Sequence, residues 1–292
     1  MKLEGDNLKI TVQKTGRLAE PSRQILKSIG LDFESHEGRL FSPCLNFPLD
    51  ILFLRDDDIP EYVQDGITDL GIVGLNVVQE KAAQVVQLDA LGFGICTLSI
   101  AVPKNSSFQS VYDLKNKRIA TSHPRILASF LERKKVKARI IEISGSVEIT
   151  PSLDVADSIC DLVSTGSTLR INELRPIEIV LKSEAFLIAN AQSLKDRTRQ
   201  ELTERLRVRI QAHLRARRTK YVMMNAPKGA LEEIKRILPG MKSPTVVPLA
   251  ERNMLAIHSA VPEELFWDVI EKLRKAGASD ILVVPIEKMV TD

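Results

Sequence analysis

The stretch GSVEITPSLDVADSICDLVSTGSTL, residues 145–169, combines an apolar run at 159–163 with a turn of small polar residues at 164–168 and a helical pattern that begins at Leu169. A short apolar run bounded by turn residues is typical of a buried β-strand. A strand that leads through a polar turn into a helix is a common joint of α/β folds. The stretch therefore predicts an α/β protein built around such joints.

The turn after this strand has the composition of an anion site. The first N–H groups of a helix have no partner inside the helix and carry partial positive charge. Gly166 allows the backbone to approach a phosphate closely, and Ser164, Thr165, Ser167 and Thr168 add hydroxyl donors. The alternative is an ordinary helix capped by Thr165 or Ser167, and the turn alone does not separate the two interpretations.

Three of the acidic residues that precede the turn are Glu148, Asp157 and Asp161. Carboxylates beside a phosphate cradle are badly placed for phosphate, but they hydrogen-bond sugar hydroxyls well, as in dinucleotide sites. The combination predicts a site for a ribose 5-phosphate.

These residues also resemble the signature of the ATP phosphoribosyltransferase family. That signature is a Glu, then Ala-Asp-x-Ile-x-Asp, then Ser/Thr-Gly-x-Thr-Leu, and it stands here at Glu148, 156–161 and 165–169. The resemblance implies that N1 of the adenine of ATP attacks C1 of 5-phosphoribosyl 1-pyrophosphate, with pyrophosphate as the leaving group. It implies a catalytic role, through the ribose hydroxyls, for Asp157, Asp161 and Glu148. It also implies that the phosphoribosyl substrate is bound by Ser164, Thr165, Gly166, Ser167, Thr168 and Leu169.

A second set of residues is predicted to bind ATP. A strand at Leu8–Val12 leads into the run Lys14–Leu18, and a strand at Asp50–Arg55 leads into Arg-Asp-Asp-Asp-Ile-Pro. Open α/β sheets bind ligands at the carboxyl ends of their strands, and both runs resemble nucleotide-binding segments of the family. Solvated surface charges are the alternative for Lys14 and Arg17. The residues predicted to contact ATP are Lys14, Gly16, Arg17, Arg55, Asp58, Gly74, Thr121 and Ser122.

Composition narrows the class of protein. The 292 residues are 44% hydrophobic and 27% charged, with a net charge of +3, as in an ordinary globular protein that handles small anions. The three scattered cysteines, the charged start and the lack of a long apolar run favour a cytoplasmic protein without a signal peptide or membrane span. Dinucleotide and Walker A glycine spacings are absent, and the four histidines lack metal-ligand spacing.

The order of predicted elements favours two α/β lobes of the periplasmic-binding-protein type II architecture. The first lobe is predicted at 1–103 and 184–219 and the second at 104–183, with strand crossovers near Pro103 and Lys182. Each lobe would bind one substrate across the cleft. The Arg-rich helix expected at Ser193–Lys220 lacks interleaved aromatic residues, which argues against nucleic-acid binding.

Residues 220–292 follow a βαββαβ order, which predicts a ferredoxin-like, ACT-like module. By resemblance this module is the regulatory domain of the long form of the family, which senses histidine. The histidine contacts are expected around Leu249, Ala250, Ser279 and Ile281.

The resemblance further implies Mg²⁺, carried mainly by the substrate pyrophosphate, and a homohexamer built from dimers. Two alternatives stand beside the enzyme: a solute-binding or ligand-sensing module of the same architecture, and a catalytically silent regulatory relative. The oligomer, the protein ligands of Mg²⁺ and the role of Leu75, where the family often has an acid, stay open.

Overall fold

A computed structural model of the chain describes residues 7–35, 38–238 and 243–291. The chain divides into two compact units, with the boundary between Thr203 and Glu204. Within the described residues, no helix is long and apolar enough to cross a membrane.

Among its described residues, the first unit contains eleven strands and five complete α-helices, and the start of a sixth helix. Its strands are β1 (Leu8–Gln13), β2 (Phe41–Pro43), β3 (Leu49–Leu54), β4 (Leu70–Gly74), β5 (Val86–Ala90), β6 (Cys96–Pro103), β7 (Arg118–Thr121), β8 (Arg139–Glu142), β9 (Ser158–Val163), β10 (Leu174–Ser183) and β11 (Ala185–Ala189). Its helices are α1 (Ala19–Ser28), α2 (Ile59–Gln64), α3 (Leu75–Lys81), α4 (Pro124–Lys134) and α5 (Ser167–Ile171), and α6 (Arg197–Arg217) begins in this unit.

Two sheets organise the first unit. The first has six strands in the order β2-β3-β1-β4-β11-β5, and the second has five in the order β10-β6-β9-β7-β8. In the first sheet β3, β1 and β4 are parallel, and in the second β9, β7 and β8 are parallel. Parallel strands are covered on both faces, which explains why five of the six residues of β1 are buried although Lys9 and Thr11 interrupt its apolar residues.

The chain passes between the two sheets twice. It leaves the first sheet through residues 91–95 and returns at Glu184, between β10 and β11. Both crossovers lie at the edges where the parallel strands end. The start of β6 lies beside Val163, the last residue of β9, and beside Ser183, the last residue of β10. Ala185, the first residue of β11, pairs with Gly74, the last residue of β4. The carboxyl-end edges of the two sheets therefore lie on either side of the crossovers.

The predicted lobe boundary differs from this arrangement. The sequence prediction placed the first crossover near Pro103 and thus put 96–103 in the first lobe. The structure pairs β6 with β9 and β10, so this strand belongs to the second sheet. The backbone pairing of distant segments decided this, because β6 is equally apolar in either setting.

Several local elements also differ from the predictions. The sequence predicts a surface connection at 105–116, but the 3₁₀ turn Val111–Leu114 within it carries two fully buried side chains. A capping box between Ser110 and Asp113 begins that turn. Helix α3 and the strands β2 and β5 were not predicted.

The second unit contains most of α6 and a single antiparallel sheet. Its elements are β12 (Thr219–Pro227), α7 (Leu231–Ile237), β13 (Thr245–Pro248), β14 (Met254–Pro262), α8 (Phe266–Lys275) and β15 (Ser279–Pro285). The strand order is β13-β14-β12-β15, and α7 and α8 pack on one sheet face. The predicted βαββαβ order of elements is confirmed.

Helix α6 is shorter than the predicted Ser193–Lys220. A 3₁₀ turn at Ser193–Lys195 comes first, and extended backbone at Asp196 separates it from α6. Leu202, Leu206, Ile210 and Leu214 recur every four residues in the sequence, which predicts an apolar stripe, and the first three of them are buried.

Candidate functional site

A pocket of about 160 Å³ lies at the carboxyl end of β9. It brings together two of the predicted acids and the whole predicted phosphate turn. Its lining residues are Glu148, Asp161, Leu162, Val163, Ser164, Thr165, Gly166, Ser167, Thr168 and Leu169. Residues separated by 20 positions in the chain therefore form one small polar site.

The turn between β9 and α5 leaves its donors available. Gly166 precedes α5 at φ +72°, a left-handed conformation that glycine adopts without strain. Neither Thr165 nor Ser167 caps the helix, and their hydroxyls instead contact one another at 3.0 Å. The predicted alternative of a side-chain cap is thus wrong, so the N–H groups of the first turn are not occupied by such a cap.

The helix after this turn is only five residues long. Because the macrodipole sums over aligned peptide units, so short a helix adds little to anion binding. The binding capacity of the turn rests on its backbone N–H groups and hydroxyls.

Asp161 and Glu148 approach this turn from different elements. Asp161 lies on β9, and Glu148 lies in the 3₁₀ turn Val147–Ile149 after β8. Burial raises the pKa of the Asp161 carboxyl, and the negative charge of Glu148 raises it further. One Asp161 oxygen accepts a hydrogen bond of 2.8 Å from the N–H of Leu162.

Asp157 does not reach this pocket. It precedes the first residue of β9, while the turn 164–168 of the pocket follows the last, about 20 Å away at ~3.3 Å per residue. Its carboxylate accepts hydrogen bonds from the backbone N–H of Arg118 at 2.7 Å and from the Arg118 guanidinium at 3.3 Å. The hydrogen-bonded Arg118 holds the pKa of Asp157 below its usual value. The sequence interpretation of Asp157 as a ribose ligand therefore needs correction, because β9 separates it from the turn.

The predicted ATP residues of the first sheet lie beyond the ends of its parallel strands. Lys14 and Gly16 help to line a pocket of about 610 Å³ together with Arg23 and Arg39. Gly16 has φ +113°, and a Cβ there would come within 2.6 Å of the Gln13 side chain. That side chain accepts the N–H of Leu18 at 2.8 Å and so holds the loop in place.

The remaining residues of this set differ in accessibility. Arg17 is exposed and donates to the sulfur of Cys96 at 3.2 Å, beside the first crossover. Arg55 is exposed at the end of β3, and Asp58 is half-buried. The sequence allows Asp57 or Asp58 to cap a helix that begins near Pro60, but Asp58 makes no capping hydrogen bond to α2. Gly74 is buried at the end of β4.

Thr121 and Ser122 lie at the carboxyl end of β7, the neighbour of β9. Thr121 is fully buried, and its hydroxyl accepts the N–H of His123 at 2.9 Å. Its predicted contact with ATP is corrected on this ground, because a buried and occupied hydroxyl does not face a ligand. Ser122 is half-buried and lies 3.0 Å from Nδ1 of His123.

Sequence reasoning missed His123 as a functional candidate, because it tested histidines only for metal spacing. The ring is buried, and its Nε2 lies 3.1 Å from Nδ2 of Asn76 on α3. Burial lowers the pKa of His123, which favours the neutral ring. The signal in the sequence is that His123 directly precedes Pro124, a residue type that often begins a helix.

The residues expected to contact histidine fall at two edges of the second unit's sheet. Leu249 and Ala250 follow β13, while Ser279 and Ile281 begin β15. These strands are the two edges of the four-stranded sheet, about 14 Å apart at ~4.8 Å per strand. A free amino acid therefore does not touch both groups within one chain.

The part of the chain that the structure describes holds no metal site made by the protein alone. Over the described residues there is no group of three or more His, Cys, Asp or Glu side chains that could hold a metal ion. The pocket at the end of β9 supplies two carboxylates, which are suitable but incomplete ligands for Mg²⁺.

Comparison with known proteins adds to this geometry. Residues 55–212 match the family model described as "ATP phosphoribosyltransferase", and residues 216–288 match the model "HisG, C-terminal domain". A curated ATP phosphoribosyltransferase of Cytophaga hutchinsonii is 48% identical over 283 residues, which cover 97% of this chain and 98% of that protein. A chain of the ATP phosphoribosyl transferase (HisG:HisZ) complex from Thermotoga maritima superposes with a TM-score of 0.61 at 29% identity, covering 70% of this chain and 96% of that one. Since family models match residues 55–212 and 216–288 and a relative is 48% identical over 97% of the chain, this chain belongs to the ATP phosphoribosyltransferase family.

Proposed function

We propose that the pocket at the end of β9 binds the phosphoribosyl substrate of the reaction. The protein is an ATP phosphoribosyltransferase, which catalyses the first step of histidine biosynthesis. The observation that carries the site proposal is the convergence of Glu148, Asp161 and the turn 164–169 on one small polar pocket. In this proposal the 5-phosphate binds the N–H groups and hydroxyls of the turn, including those of Thr165, Ser167 and Thr168.

The two carboxylates hold the ribose. Asp161 and Glu148 accept hydrogen bonds from the sugar hydroxyls, and this fixes C1 for attack by N1 of adenine. As the bond to pyrophosphate breaks, positive charge develops on the ribose ring, and nearby carboxylates stabilise that charge. Asp157 is excluded from this role by its position, and we assign it to joining the amino ends of β7 and β9.

ATP binds from the first sheet in this proposal. Lys14, Gly16 and Arg55 lie at the carboxyl ends of β1 and β3, across the crossovers from the phosphate turn. Arg17 or Arg55 neutralises the leaving pyrophosphate, and the position of Arg17 at the first crossover favours it. Mg²⁺, held mainly by pyrophosphate oxygens with Asp161 and Glu148 near, would supply further charge neutralisation when bound.

The arrangement of the first unit supports a two-lobed, periplasmic-binding-protein-like catalytic part. Two sheets connected by two crossovers are what such a cleft requires. We place the lobe boundaries at the crossovers, residues 91–95 and 184, and start the regulatory domain at about β12.

The second unit is proposed to be a ferredoxin-like, ACT-like regulatory domain that mediates feedback inhibition by histidine. Its antiparallel strand order with two helices on one face supports that classification. Because Leu249 and Ser279 lie at opposite edges, a histidine that touches both would bridge two chains. This accords with the proposed homohexamer built from dimers. A cytoplasmic location, and the absence of nucleic acid and membrane as partners, stay predictions.

Binding of 5-phosphoribosyl 1-pyrophosphate to glycine variants tests the phosphate turn. A Cβ at residue 166 would make only an ordinary contact of 4.0 Å with Cγ1 of Val163, so Gly166→Ala acts through the backbone, where left-handed φ costs about 1–2 kcal/mol. We expect calorimetric titration to show at least several-fold weaker binding for Gly166→Ala, while Gly145→Ala on the neighbouring exposed loop binds like the wild type. Equal affinity in both variants would contradict the proposed cradle. A non-catalytic solute-binding protein would bind 5-phosphoribosyl 1-pyrophosphate without converting it. An assay with ATP and Mg²⁺ distinguishes such a protein from an enzyme.

A further inference from the structure

Helix α3 of the first sheet contacts the start of helix α4 of the second sheet through a carboxylate. One oxygen of Glu80 accepts the N–H of Arg125 at 2.8 Å, and the other accepts the N–H of Ile126 at 3.0 Å. Helix α4 has no side-chain cap of its own at His123. A carboxylate at this position satisfies helix N–H groups and complements the helix dipole. The cap of α4 is therefore supplied by the other sheet's helix.

A second contact between the same helices lies one turn earlier on α3. Nδ2 of Asn76 lies 3.1 Å from Nε2 of His123, which directly precedes α4. The hydroxyl of Ser183, at the end of β10, lies 3.0 Å from Oδ1 of Asn76 and 3.1 Å from its N–H. Asn76, His123 and Ser183 are all buried. Hydrogen bonds sheltered from water hold their geometry better than exposed ones.

These contacts lie next to the crossovers. The N–H of Leu75, the first residue of α3, donates to the carbonyl of Glu184 at 3.0 Å, and the side chain of Glu184 accepts the N–H of Gly92 at 2.9 Å. Gly92 and Gly94 both have positive φ within the first crossover. Helix α3 thus runs from the crossovers to the start of α4.

We propose that Glu80 and Asn76 are positioning residues for the phosphoribosyl transfer. By holding the start of α4, they fix the Ser122–His123 turn and its sheet relative to the first sheet. This sets the distance between the ATP residues beyond β1 and β3 and the phosphate turn beyond β9. Neither residue is placed in contact with a substrate, so each acts through α4. Misplacement by about 1 Å is enough to cost orders of magnitude in rate.

The test compares Glu80→Ala and Glu80→Gln with Gln79→Ala in the full chain. Gln79 is the exposed neighbour of Glu80 on α3 and serves as the matched control. We expect Glu80→Ala to lower kcat by about tenfold or more, and Glu80→Gln, which keeps one acceptor oxygen, to lie between it and the wild type. Gln79→Ala should retain the kcat of the wild type.

A distance measurement separates positioning from simple stabilisation. Spin labels at Gln24→Cys on α1 and Ala128→Cys on α4, both exposed, report the spacing of the two sheets in a Cys44→Ser background. We expect the distance distribution to broaden or shift with Glu80→Ala and to stay unchanged with Gln79→Ala. A lower melting temperature with unchanged kcat and distances would overturn the proposal, and so would a lower kcat with unchanged distances. If Glu80→Ala does not fold, the same outcomes apply to Glu80→Gln.

Discussion

Asp161 and Asp157 belong to one short segment of chain but have different surroundings. Asp161 is turned into the pocket with Glu148, whereas Asp157 is occupied by Arg118 at the far end of β9. At the scale of the residue, the surroundings of each carboxylate therefore decide its role more than its place in the signature.

Replacing each acid by its amide separates the two roles. Asp161→Asn should reduce kcat/KM for 5-phosphoribosyl 1-pyrophosphate by about a hundredfold, since it removes a charge from the reacting sugar. Asp157→Asn should leave kcat/KM within about threefold and lower the unfolding free energy instead, because it weakens the contact with Arg118. Steady-state kinetics and urea unfolding measure the two effects, and a large kinetic loss in Asp157→Asn alone would reverse the assignment.

The raised pKa of Asp161 predicts a pH dependence. On acidification Asp161 takes up a proton at a higher pH than an ordinary carboxyl, so kcat/KM should fall on the acidic side through that raised pKa. The folded state disfavours the ionised form of Asp161, because its pKa is higher there than in the unfolded chain. The free energy of unfolding therefore falls as the pH rises from the unfolded-state pKa to the raised pKa of the folded state.

Glu148→Gln removes one cause of the raised pKa. In that variant we expect the acidic limb of the kcat/KM profile to move to lower pH. This shift is separate from any loss of rate at all pH values. A carbon-detected NMR titration of the Asp161 carboxyl gives the same information independently of activity. An acidic limb that stays in place would show that the charge of Glu148 does not act on Asp161.

At the scale of the element, the start of α6 is attached to the first sheet through a buried acid. Asp69 accepts the hydroxyl of Ser193 and the guanidinium of Arg199, each at 2.6 Å, and the N–H of Lys9 at 2.8 Å. The Asp69 side chain is 3% exposed and that of Arg199 is 37% exposed. A buried carboxylate needs all of its partners, since an unpaired charge is costly away from water.

Arg199→Ala should therefore destabilise the protein. We expect the unfolding free energy to fall by about 1–3 kcal/mol, less than for a fully buried pair because Arg199 is partly exposed. Arg197→Ala is the control on the same helix turn, because its pair with Glu201 is largely exposed and should contribute under ~0.5 kcal/mol. Denaturant unfolding of the full chain provides both values, and equal effects would contradict the role given to Asp69.

At the scale of the whole molecule, the two compact units divide the proposed catalytic and regulatory tasks. Substitutions in the second unit should then change inhibition without changing the chemistry. We expect Ala250→Arg and Ser279→Arg, both at exposed positions, to weaken inhibition by histidine at least tenfold while kcat stays near that of the wild type.

The control for this prediction is Glu233→Arg on the exposed side of α7, which should leave inhibition intact. Inhibition curves at fixed ATP and 5-phosphoribosyl 1-pyrophosphate provide the measurement. If both edge variants remain as sensitive as the wild type, histidine acts at another site.

The sequence by itself determined the local joints and the family. Strand, turn and helix around residue 166 follow from apolar periodicity and small polar residues. Of the signature residues, Glu148, Asp161 and 164–169 line one pocket, and their binding role stays a prediction. The βαββαβ order of the second unit follows from the same local patterns.

Only the tertiary structure decided which distant segments meet. It placed β6 in the second sheet and put Asp157 at the amino end of β9, away from the pocket. It also brought Glu80 into contact with the start of α4, 45 residues later in the chain. Periodicity records which face of an element is apolar, but not which neighbour covers it or at which end of a strand a side chain lies. Those choices depend on the packing of the whole chain.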